Sequence, residues 1–340
     1  MAVKYGSTSS DTINGTTAND TLYGWASNDS ASSVSGNDNL YGNDGDDSLF
    51  GGTGDDNING DAGKDTLDGG SGSDTMRGGT GDDIYTVDVA TDKVIESFNS
   101  GIDTLTTASN VSAFSYTLSE NVENLEAGSL VNDFKGFGNA LNNTLIAGYS
   151  GNYYLYGGDG NDYIEGGDRS SNRLYGEAGD DTLIGAQSPF CVNYLDGGVG
   201  NDTLTGGFNG AGDTLLGGAG NDEITGLYGD DTLSGGAGAD RFIFTGNDGI
   251  DKITDFWVVD DTIVVSADSF GSNLIPGAAI AQSQFTIGAG AADASDRFIY
   301  NKTSGALFFD ADGIGTTEQV QLATLPTGLA MTSADIFVIA

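Results

Sequence analysis

The sequence predicts an all-β solenoid, a chain of short strands wound into stacked parallel coils. Three features of residues 6–86 carry this prediction, and the first is an aspartate at every ninth position. The second is a mostly apolar residue two positions after each aspartate, which would form a common core. The third is the glycine that opens most of the nine-residue frames, as in GGTGDDNIN at residues 51–59. A fixed period of this kind is the signature of a repeat architecture.

The two columns continue without a slip through nine successive frames. The aspartate column is Asp11, Asp20, Asp29, Asp38, Asp47, Asp56, Asp65, Asp74 and Asp83. The apolar column is Ile13, Leu22, Ala31, Leu40, Leu49, Ile58, Leu67, Met76 and Tyr85. A single Asp-Gly loop would be an ordinary turn. A whole column in phase with a core column favours a metal site instead.

Each frame combines a turn with a strand. Its first six residues are rich in glycine, which tolerates positive φ, so they are predicted to form a tight turn with exposed carbonyls. Its last three residues are a short strand whose middle side chain points into the core. Stacked turns bring carboxylates together, and these repel each other unless a cation lies between them. Calcium accepts many oxygen ligands at flexible geometry, so it fits such turns better than magnesium does.

These frames resemble the RTX (repeat-in-toxin) proteins, whose consensus is G-G-x-G-x-D-x-U-x. The resemblance implies a right-handed parallel β-roll in which two nonapeptides make one coil and calcium ions lie in two rows, one along each edge. It also implies that an aspartate shares its ion with the turn one coil further on. That rule would pair Asp47 with Asp65, and Asp56 with Asp74.

The predicted calcium ligands are the aspartates of the well-formed frames, and the ions number on the order of ten. These ligands are Asp38, Asp47, Asp56, Asp65, Asp74, Asp83, Asp162, Asp181, Asp202, Asp222, Asp231 and Asp240. The first three frames keep the aspartate but lack the glycine at the fourth position. A coil is expected there, whereas calcium at Asp11, Asp20 and Asp29 is left open.

The first block of repeats, residues 1–86, is followed by a spacer at residues 87–137 that lacks the nonapeptide period. Its short β-rich runs predict further strands. With its VIE, GIDT, YTL and NVENLE segments, it resembles a spacer between RTX blocks of large bacterial surface proteins. It is expected to continue the solenoid with wider coils. Asp103, Glu120 and Glu123 are interpreted as solvated surface charges rather than ligands.

The second block, residues 138–243, mixes regular and irregular frames. Asn143 and Tyr153 take the aspartate position in its first two frames, so calcium is not favoured at either. Three later frames carry one, three and two extra residues, and Asp213 in the last of them is left open as a ligand. The spacing predicts that all three insertions bulge from one edge, either as a contact surface or as tolerated loop variation. Their core residues are Leu174, Leu195 and Leu215.

Residues 244–340 are predicted to cap the solenoid, as repeat architectures require. DKITDF at residues 251–256 and DTIVV at residues 261–265 resemble the segment that closes the repeats of secreted RTX proteases. A hairpin is expected in DRFIYNKTSGALFFDADGIG. The final SADIFVIA resembles the uncleaved C-terminal signal of type I secretion, with an ordinary edge strand as the alternative.

Composition excludes several classes of function. The 340 residues include 50 acidic and 11 basic side chains, for a net charge of −39, which disfavours nucleic acid and anionic membranes as partners. The chain contains no histidine, which removes His-dependent triads and HExxH zinc sites, so no enzymatic activity is predicted. No signal-peptide h-region and no membrane-length apolar run are found. Cys191 is expected to be a buried or inert thiol.

These features predict a secreted, non-enzymatic calcium-binding protein that passes through a type I secretion apparatus and folds outside the cell. The favoured role is a self-assembling structural component of the cell surface or extracellular matrix. The alternative is a module that binds extracellular polysaccharide through the enlarged turns or through outward aromatics, which are equally explained as plain strand formers. These aromatics are Tyr23, Tyr41, Phe50, Tyr156 and Tyr175. A weaker alternative is ice binding by an edge that carries Thr17, Asn19, Ser35, Asn37 and Thr53.

Overall fold

The computed structural model describes most of the chain, in two compact units, Met1–Tyr163 and Ile164–Ala340. Each unit is a parallel β-solenoid with almost no helix, which confirms the predicted fold class. Among the described residues, no helix has the length and apolar character needed to span a membrane. The described residues are 2–24, 27–108, 114–129, 133–169, 171–186, 188, 191–208, 211–271 and 273–340.

The first unit is wound from strands that alternate between two faces. In chain order these strands are β1 (Val3–Tyr5), β2 (Thr12–Asn14), β3 (Thr21–Tyr23), β4 (Ser30–Ser32), β5 (Asn39–Asp44), β6 (Ser48–Thr53), β7 (Asn57–Ala62), β8 (Thr66–Ser71), β9 (Thr75–Thr80), β10 (Ile84–Val87), β11 (Lys93–Val94), β12 (Thr104–Thr107), β13 (Ser115–Thr117), β14 (Asn124–Glu126), β15 (Phe134–Phe137), β16 (Thr144–Ile146) and β17 (Tyr153–Asp159). The odd strands β1 to β11 pair in order in one sheet, and the even strands β2 to β16 pair in order in a second. A third sheet contains β13, β15 and β17.

One coil of the first block consists of two frames. Leu22 lies beside Leu40 on one sheet and Leu49 beside Leu67 on the other, a spacing of 18 residues. The apolar column therefore stacks on itself and fills the space between the sheets. Ile13 is 6% exposed and the other eight members of the column are fully buried.

Strands β5 to β9 are longer than the sequence predicts. Each has six residues, because it starts after the aspartate and continues through the first three residues of the next frame. The predicted six-residue turn is thus wrong for these frames. Backbone pairing continues across the glycines, for example between Gly52 and Gly70, and only the residues up to the next aspartate remain as a turn.

The spacer adds wider coils to the same solenoid. Tyr85, Leu105 and Leu125 stand beside one another on β10, β12 and β14, at a spacing of 20 residues. The extra residues lie in the turns, so the core column keeps its register through the change in period.

The second unit is also wound from strands that alternate between two faces, and its residues 244–340 are called the cap below. Its elements, starting with β18 at the unit boundary, are β18 (Tyr163–Glu165), β19 (Arg173–Ala178), β20 (Thr182–Ile184), β21 (Tyr194–Val199), β22 (Thr203–Thr205), β23 (Thr214–Ala219), β24 (Glu223–Thr225), β25 (Thr232–Ala237), β26 (Arg241–Phe244), β27 (Asp251–Ile253), β28 (Thr262–Ser266), α1 (Ala267–Phe270), β29 (Ala278–Ala279), a 3₁₀ turn (Gln282–Gln284), β30 (Phe285–Ile287), β31 (Phe298–Tyr300), β32 (Ala306–Phe309), β33 (Val320–Thr324), a 3₁₀ turn (Ser333–Asp335) and β34 (Ile336–Ile339).

The enlarged frames share one edge of the second unit, as predicted. Leu174, Leu195 and Leu215 stand in register on β19, β21 and β23, and all three are fully buried. The inserted residues therefore do not disturb the core column. The loops themselves fall partly outside the described residues, at residues 170, 187, 189–190 and 209–210. The Cys191 thiol, which follows the second of these loops, is buried as expected.

The cap, residues 244–340, contains both parallel and antiparallel strand pairs. Strands β33 and β34 pair in parallel with β27 and β28, and β31 and β32 form the predicted antiparallel hairpin. The interpretation of SADIFVIA as an edge strand is wrong, because β34 lies between β28 and β29. Its Ile336 and Val338 side chains, which share one face of the strand, are fully buried.

Candidate metal centre

The predicted aspartates lie in rows along the edges of the coils, and all twelve are at most 3% exposed. Within a row, the carboxylate of one aspartate accepts a hydrogen bond from the backbone N–H of the aspartate one coil earlier. Asp65 Oδ1 accepts from Asp47 at 2.7 Å, and Asp74 Oδ1 accepts from Asp56 at 2.8 Å. The pairs implied by the family resemblance are therefore in direct contact. Asp162 makes the same contact with Asn143, at 2.7 Å.

Each unit contains two such rows. In the first unit, one row is Asp11, Asp29, Asp47, Asp65, Asp83 and Asp103, and the other is Asp20, Asp38, Asp56, Asp74 and Asp92. In the second unit, one row is Asp181, Asp202, Asp222, Asp240 and Asp261, and the other is Asn193, Asp213, Asp231 and Asp251.

The second carboxylate oxygen of many of these aspartates is buried without a hydrogen-bond partner among the described residues. These Oδ2 atoms belong to Asp47, Asp56, Asp65, Asp74, Asp83, Asp202, Asp222, Asp231 and Asp240. Buried polar atoms are nearly always paired in folded proteins, and a charged one without a partner is costly. The repetition of the same atom in successive frames indicates a common ligand rather than a local defect.

The glycine that opens each frame keeps a small space open around these oxygens. A Cβ atom on Gly60 would lie 2.2 Å from Asp65 Oδ2 and 2.7 Å from the carbonyl oxygen of Gly78, one coil further on. The carboxylate oxygen and the carbonyl oxygen therefore face the same point. Equivalent arrangements surround Gly42, Gly51, Gly197 and Gly217. A recurring set of uncharged and charged oxygens is the donor chemistry that calcium prefers.

The fourth-position glycine shapes the turn itself. Gly63 and Gly72 have φ of 140° and 151°, a conformation that side chains other than glycine rarely adopt. A Cβ atom on Gly72 would also lie only 1.8 Å from the carbonyl oxygen of Gly54. Glycine at this position thus permits both the turn and the close stacking of successive turns.

The electrostatics of the rows favour a cation. Burial raises the pKa of Asp65 and of Asp74 to about 7, and the negative charges of neighbouring aspartates add to the shift. Burial likewise raises the pKa of Asp231 to about 8. The ion pairs of Lys64 with Asp82 and of Arg241 with Glu223 lie on the surface and outside these rows.

A scan against family models matches the RTX calcium-binding nonapeptide repeat to more than half of the chain. The matched residues are 5–40, 32–67, 50–85, 137–168, 156–187, 192–208 and 209–242. This chain belongs to the RTX calcium-binding repeat family. Calcium is accordingly its metal cofactor, and the buried aspartate rows fit several ions. A comparison with curated proteins gives no significant match.

Some rows of this RTX chain depart from the pattern where a glycine or an aspartate of the frame is replaced. Ser33 opens the frame of Asp38, and its hydroxyl donates to Asp38 Oδ2 at 2.6 Å. Asp20 Oδ2 accepts from the Thr16 hydroxyl at 2.7 Å. The Asn143 amide donates to the Glu123 carbonyl at 3.0 Å. In these frames the protein itself supplies hydrogen bonds that the regular frames leave unmade.

The interpretation of Asp103 as a solvated charge is wrong. Asp103 is fully buried and accepts the N–H of Asp83 at 2.9 Å, which extends the row into the spacer. Glu123 is half-buried and accepts the N–H of Asp103 at 2.8 Å, so it continues the row as well. Glu120 is exposed, as expected.

Sequence reasoning also missed three other members of the rows, Asp92, Asp251 and Asp261. The signal that identifies them is local. Each stands two residues before a buried apolar residue, as in the regular frames. The frame of Asp251 also keeps Gly246 and Gly249, whereas the frames of Asp92 and Asp261 have lost their glycines. The motifs DKI at residues 251–253 and DTI at residues 261–263 therefore extend the rows into the cap.

Outward tyrosines form a stack on one face of the first unit. The rings of Tyr5 and Tyr23 are 5.0 Å apart at 6°, and those of Tyr23 and Tyr41 are 4.9 Å apart at 12°. Phe137 and Tyr156 stack in the same manner at 4.7 Å. Phe50 lies on the opposite sheet, on β6. In these three pairs, aromatics on consecutive coils of one sheet stack on each other.

The raised pKa values predict that protonation of the buried aspartates at low pH stabilises the fold in the absence of calcium. Without calcium, folded aspartates such as Asp65 and Asp74 bind protons that the unfolded chain, with a pKa of 3.8, releases. The stability of the calcium-free fold is therefore greatest near pH 4 and is lost as the pH rises through about 7. Calcium should raise the melting temperature far more at about pH 7.5 than at about pH 5. Thermal melts of protein freed of metal on a chelating resin, with and without added calcium, measure this. If calcium raised the melting temperature equally at the two pH values, this prediction would be wrong.

Proposed function

We propose that this RTX chain is a secreted, non-enzymatic protein whose folding is coupled to calcium, and that it serves as a structural component of the cell surface or extracellular matrix. The observation that carries the proposal is the set of buried carboxylate oxygens without hydrogen-bond partners. In a chain with a net charge of −39, these atoms destabilise the compact state until cations neutralise them.

The proposed ligands are the twelve predicted aspartates, several of which act together with a glycine carbonyl of the next coil. Asp47 with Gly60, and Asp65 with Gly78, are examples of such pairs. Asp38 is retained in the set, and its partner Ser33 would contribute a hydroxyl oxygen in place of open space. Bound calcium supplies the positive charge that these rows lack. The backbone N–H groups hold the carboxylates in place, and the glycines keep the coordination space open.

Folding coupled to calcium suits export. Extracellular calcium-binding modules have affinities of about 10⁻⁴–10⁻³ M, so such sites stay empty in the cytosol and fill outside. The C-terminal segment that resembles a type I secretion signal forms β34, whose Ile336 and Val338 are buried in the folded cap. A secretion apparatus can read that segment only before the cap forms. This supports an unfolded state during transport.

Self-association is the favoured use of the folded protein. Support comes from the repeat composition of the chain and from the lack of histidine, which removes the commonest catalytic constellations. Binding of extracellular polysaccharide is the second candidate. It is favoured by the stacked tyrosines, since Tyr5 is 65% exposed and its ring lies parallel to that of Tyr23.

The experiment is a calcium titration of the metal-free chain, followed by circular dichroism and light scattering in parallel. Strand signal and large particles are expected to appear together as calcium rises. A folded monomer at saturating calcium would overturn the assembly proposal, and retention on a polysaccharide column would then support the second candidate. A chain already folded at neutral pH in chelator would overturn calcium-coupled folding.

A further inference from the structure

The first regular block ends in a place where a glutamate takes the position of a glycine. The glycines that open alternate frames are Gly42, Gly60 and Gly78, and the next residue at this spacing is Glu96. The Gly78 N–H donates to Glu96 Oε1 at 3.1 Å, across 18 residues. A side-chain carboxylate thus stands where the regular frames present a backbone carbonyl. Glu96 lies outside the residues matched to the RTX repeat.

Three carboxylates converge at this position. One possible ligand oxygen from each of Asp83, Glu96 and Asp103 lies within 4.8 Å of the others. Asp83 is 1% exposed, Glu96 is 9% exposed and Asp103 is fully buried. Each regular frame contributes one aspartate to such a space, so this end of the block has a greater density of buried negative charge. Lys64 and Arg241 form their ion pairs elsewhere, with Asp82 and Glu223.

One oxygen of the cluster is left without a hydrogen bond. Asp83 Oδ2 is buried and has no partner among the described residues. It faces the same small space as the Tyr85 hydroxyl, since a Cβ atom on Gly78 would lie 2.0 Å from the first and 2.1 Å from the second. The Tyr85 hydroxyl in turn donates to Glu96 Oε1. The unpartnered oxygen is therefore aimed at the cluster.

The remaining atoms of Glu96 are fixed by the spacer. Its Oε2 accepts from the Ser97 N–H at 3.1 Å and from the Ser100 hydroxyl at 2.8 Å. The carboxylate is thus held in one orientation before any metal arrives. Preorganised ligands with more charge bind calcium more tightly than flexible, less charged ones.

We propose that Asp83, Glu96 and Asp103 form a separate calcium site that closes the first block and fills before the sites of the regular frames. The inference rests on the proposed function only for the identity of the metal. If this site fills first, folding of the first block begins at its C-terminal end, and the regular coils then add to that end. Calcium bound here offsets the repulsion among three carboxylates, which no protein cation in the described part of the chain does.

The test is calorimetric titration of the full chain with calcium, comparing E96Q with wild type. Glutamine keeps the size of the side chain and its acceptor for the Gly78 N–H, but it removes the charge. The tightest ion of the wild type is expected to bind at least about tenfold more weakly in E96Q, with the weaker ions unchanged. The matched control is E120Q, because Glu120 is an exposed glutamate of the same spacer. An E96Q isotherm equal to that of E120Q would overturn the proposal.

Circular dichroism at saturating calcium shows whether E96Q folds. If it does not, terbium luminescence of wild type and Y85F decides, because Tyr85 touches the cluster and sensitises a bound terbium ion. If Y85F loses the emission that the first equivalent of terbium gives in wild type, the proposed site is supported. If that emission is unchanged in Y85F, the proposed site is overturned. If the wild-type chain is folded in chelator, calcium-coupled folding is refuted. The titration and the luminescence can still show whether its tightest calcium ion binds at Asp83, Glu96 and Asp103. The two failures are therefore distinguishable.

Discussion

Replacing Asp65 by asparagine is expected to raise the calcium concentration for half-folding about tenfold. Asparagine keeps the Oδ1 acceptor for the Asp47 N–H but removes the charge of an oxygen that faces the Gly78 carbonyl. In metal-free solution at neutral pH the same variant should be at least as stable as wild type, because it no longer buries a carboxylate whose pKa is raised to about 7. Circular dichroism during a calcium titration measures the first effect, and melts of the metal-free protein measure the second.

Asp46→Asn is the matched control for this variant. Asp46 also accepts a backbone N–H one coil away, from Lys64 at 2.9 Å, but it is exposed. Its removal should change the calcium midpoint by less than about twofold, since exposed charges act through a high dielectric. Equal effects of the two variants would mean that calcium responds to the overall charge of the chain rather than to the buried row.

Replacing Gly72 by alanine is expected to destabilise the calcium-loaded protein by about 3 kcal/mol. The φ of 151° at this position is unfavourable for alanine, and the new Cβ atom would lie 1.8 Å from the Gly54 carbonyl oxygen. The backbone of two stacked turns would have to separate, which also moves the neighbouring Asp74. Urea unfolding at saturating calcium, followed by circular dichroism, measures the loss.

The control for the glycine variant is Gly290→Ala in the cap. A Cβ atom on Gly290 would meet only the Gln319 side chain, at 3.6 Å, which is an ordinary contact. This variant should be within about 0.5 kcal/mol of wild type. A Gly72→Ala protein as stable as Gly290→Ala would show that the turns relax easily, and the argument from close stacking would be wrong.

The period of the sequence made most of the fold predictable. In a parallel solenoid, the residue one coil further on is also the spatial neighbour, so a strict period of two frames carries the register, the core and the aspartate rows together. The resemblance to the RTX family adds that two frames make one coil, and this resemblance is what predicts the contacts of Asp47 with Asp65 and of Asp56 with Asp74.

Prediction failed where the period changed. Asp103 was misjudged because the spacer coil has 20 residues, so a count in steps of 18 does not reach it. The spacing of Asp103 to the buried Leu105 still carried the signal. The replacement of glycine by Ser33 was visible in the sequence, but its effect on Asp38 depends on the rotamer of one hydroxyl. The length of strands β5 to β9 was not predicted either, because glycine is a poor strand former. The glycines extend these strands because their backbones pair with the glycines of the adjacent coil, as Gly52 does with Gly70.

The register of the first block has a consequence for how such a chain can change in length. A deletion of residues 51–68 removes one whole coil, and every later strand keeps its sheet, its row and its inward face. A deletion of residues 51–59 alone moves each later frame to the opposite sheet, so that β8 would have to join β5 instead of β6. The wider turns of the spacer would then lie on the other edge relative to the coils that precede the deletion. Gene rearrangements that preserve this protein should therefore add or remove frames in pairs.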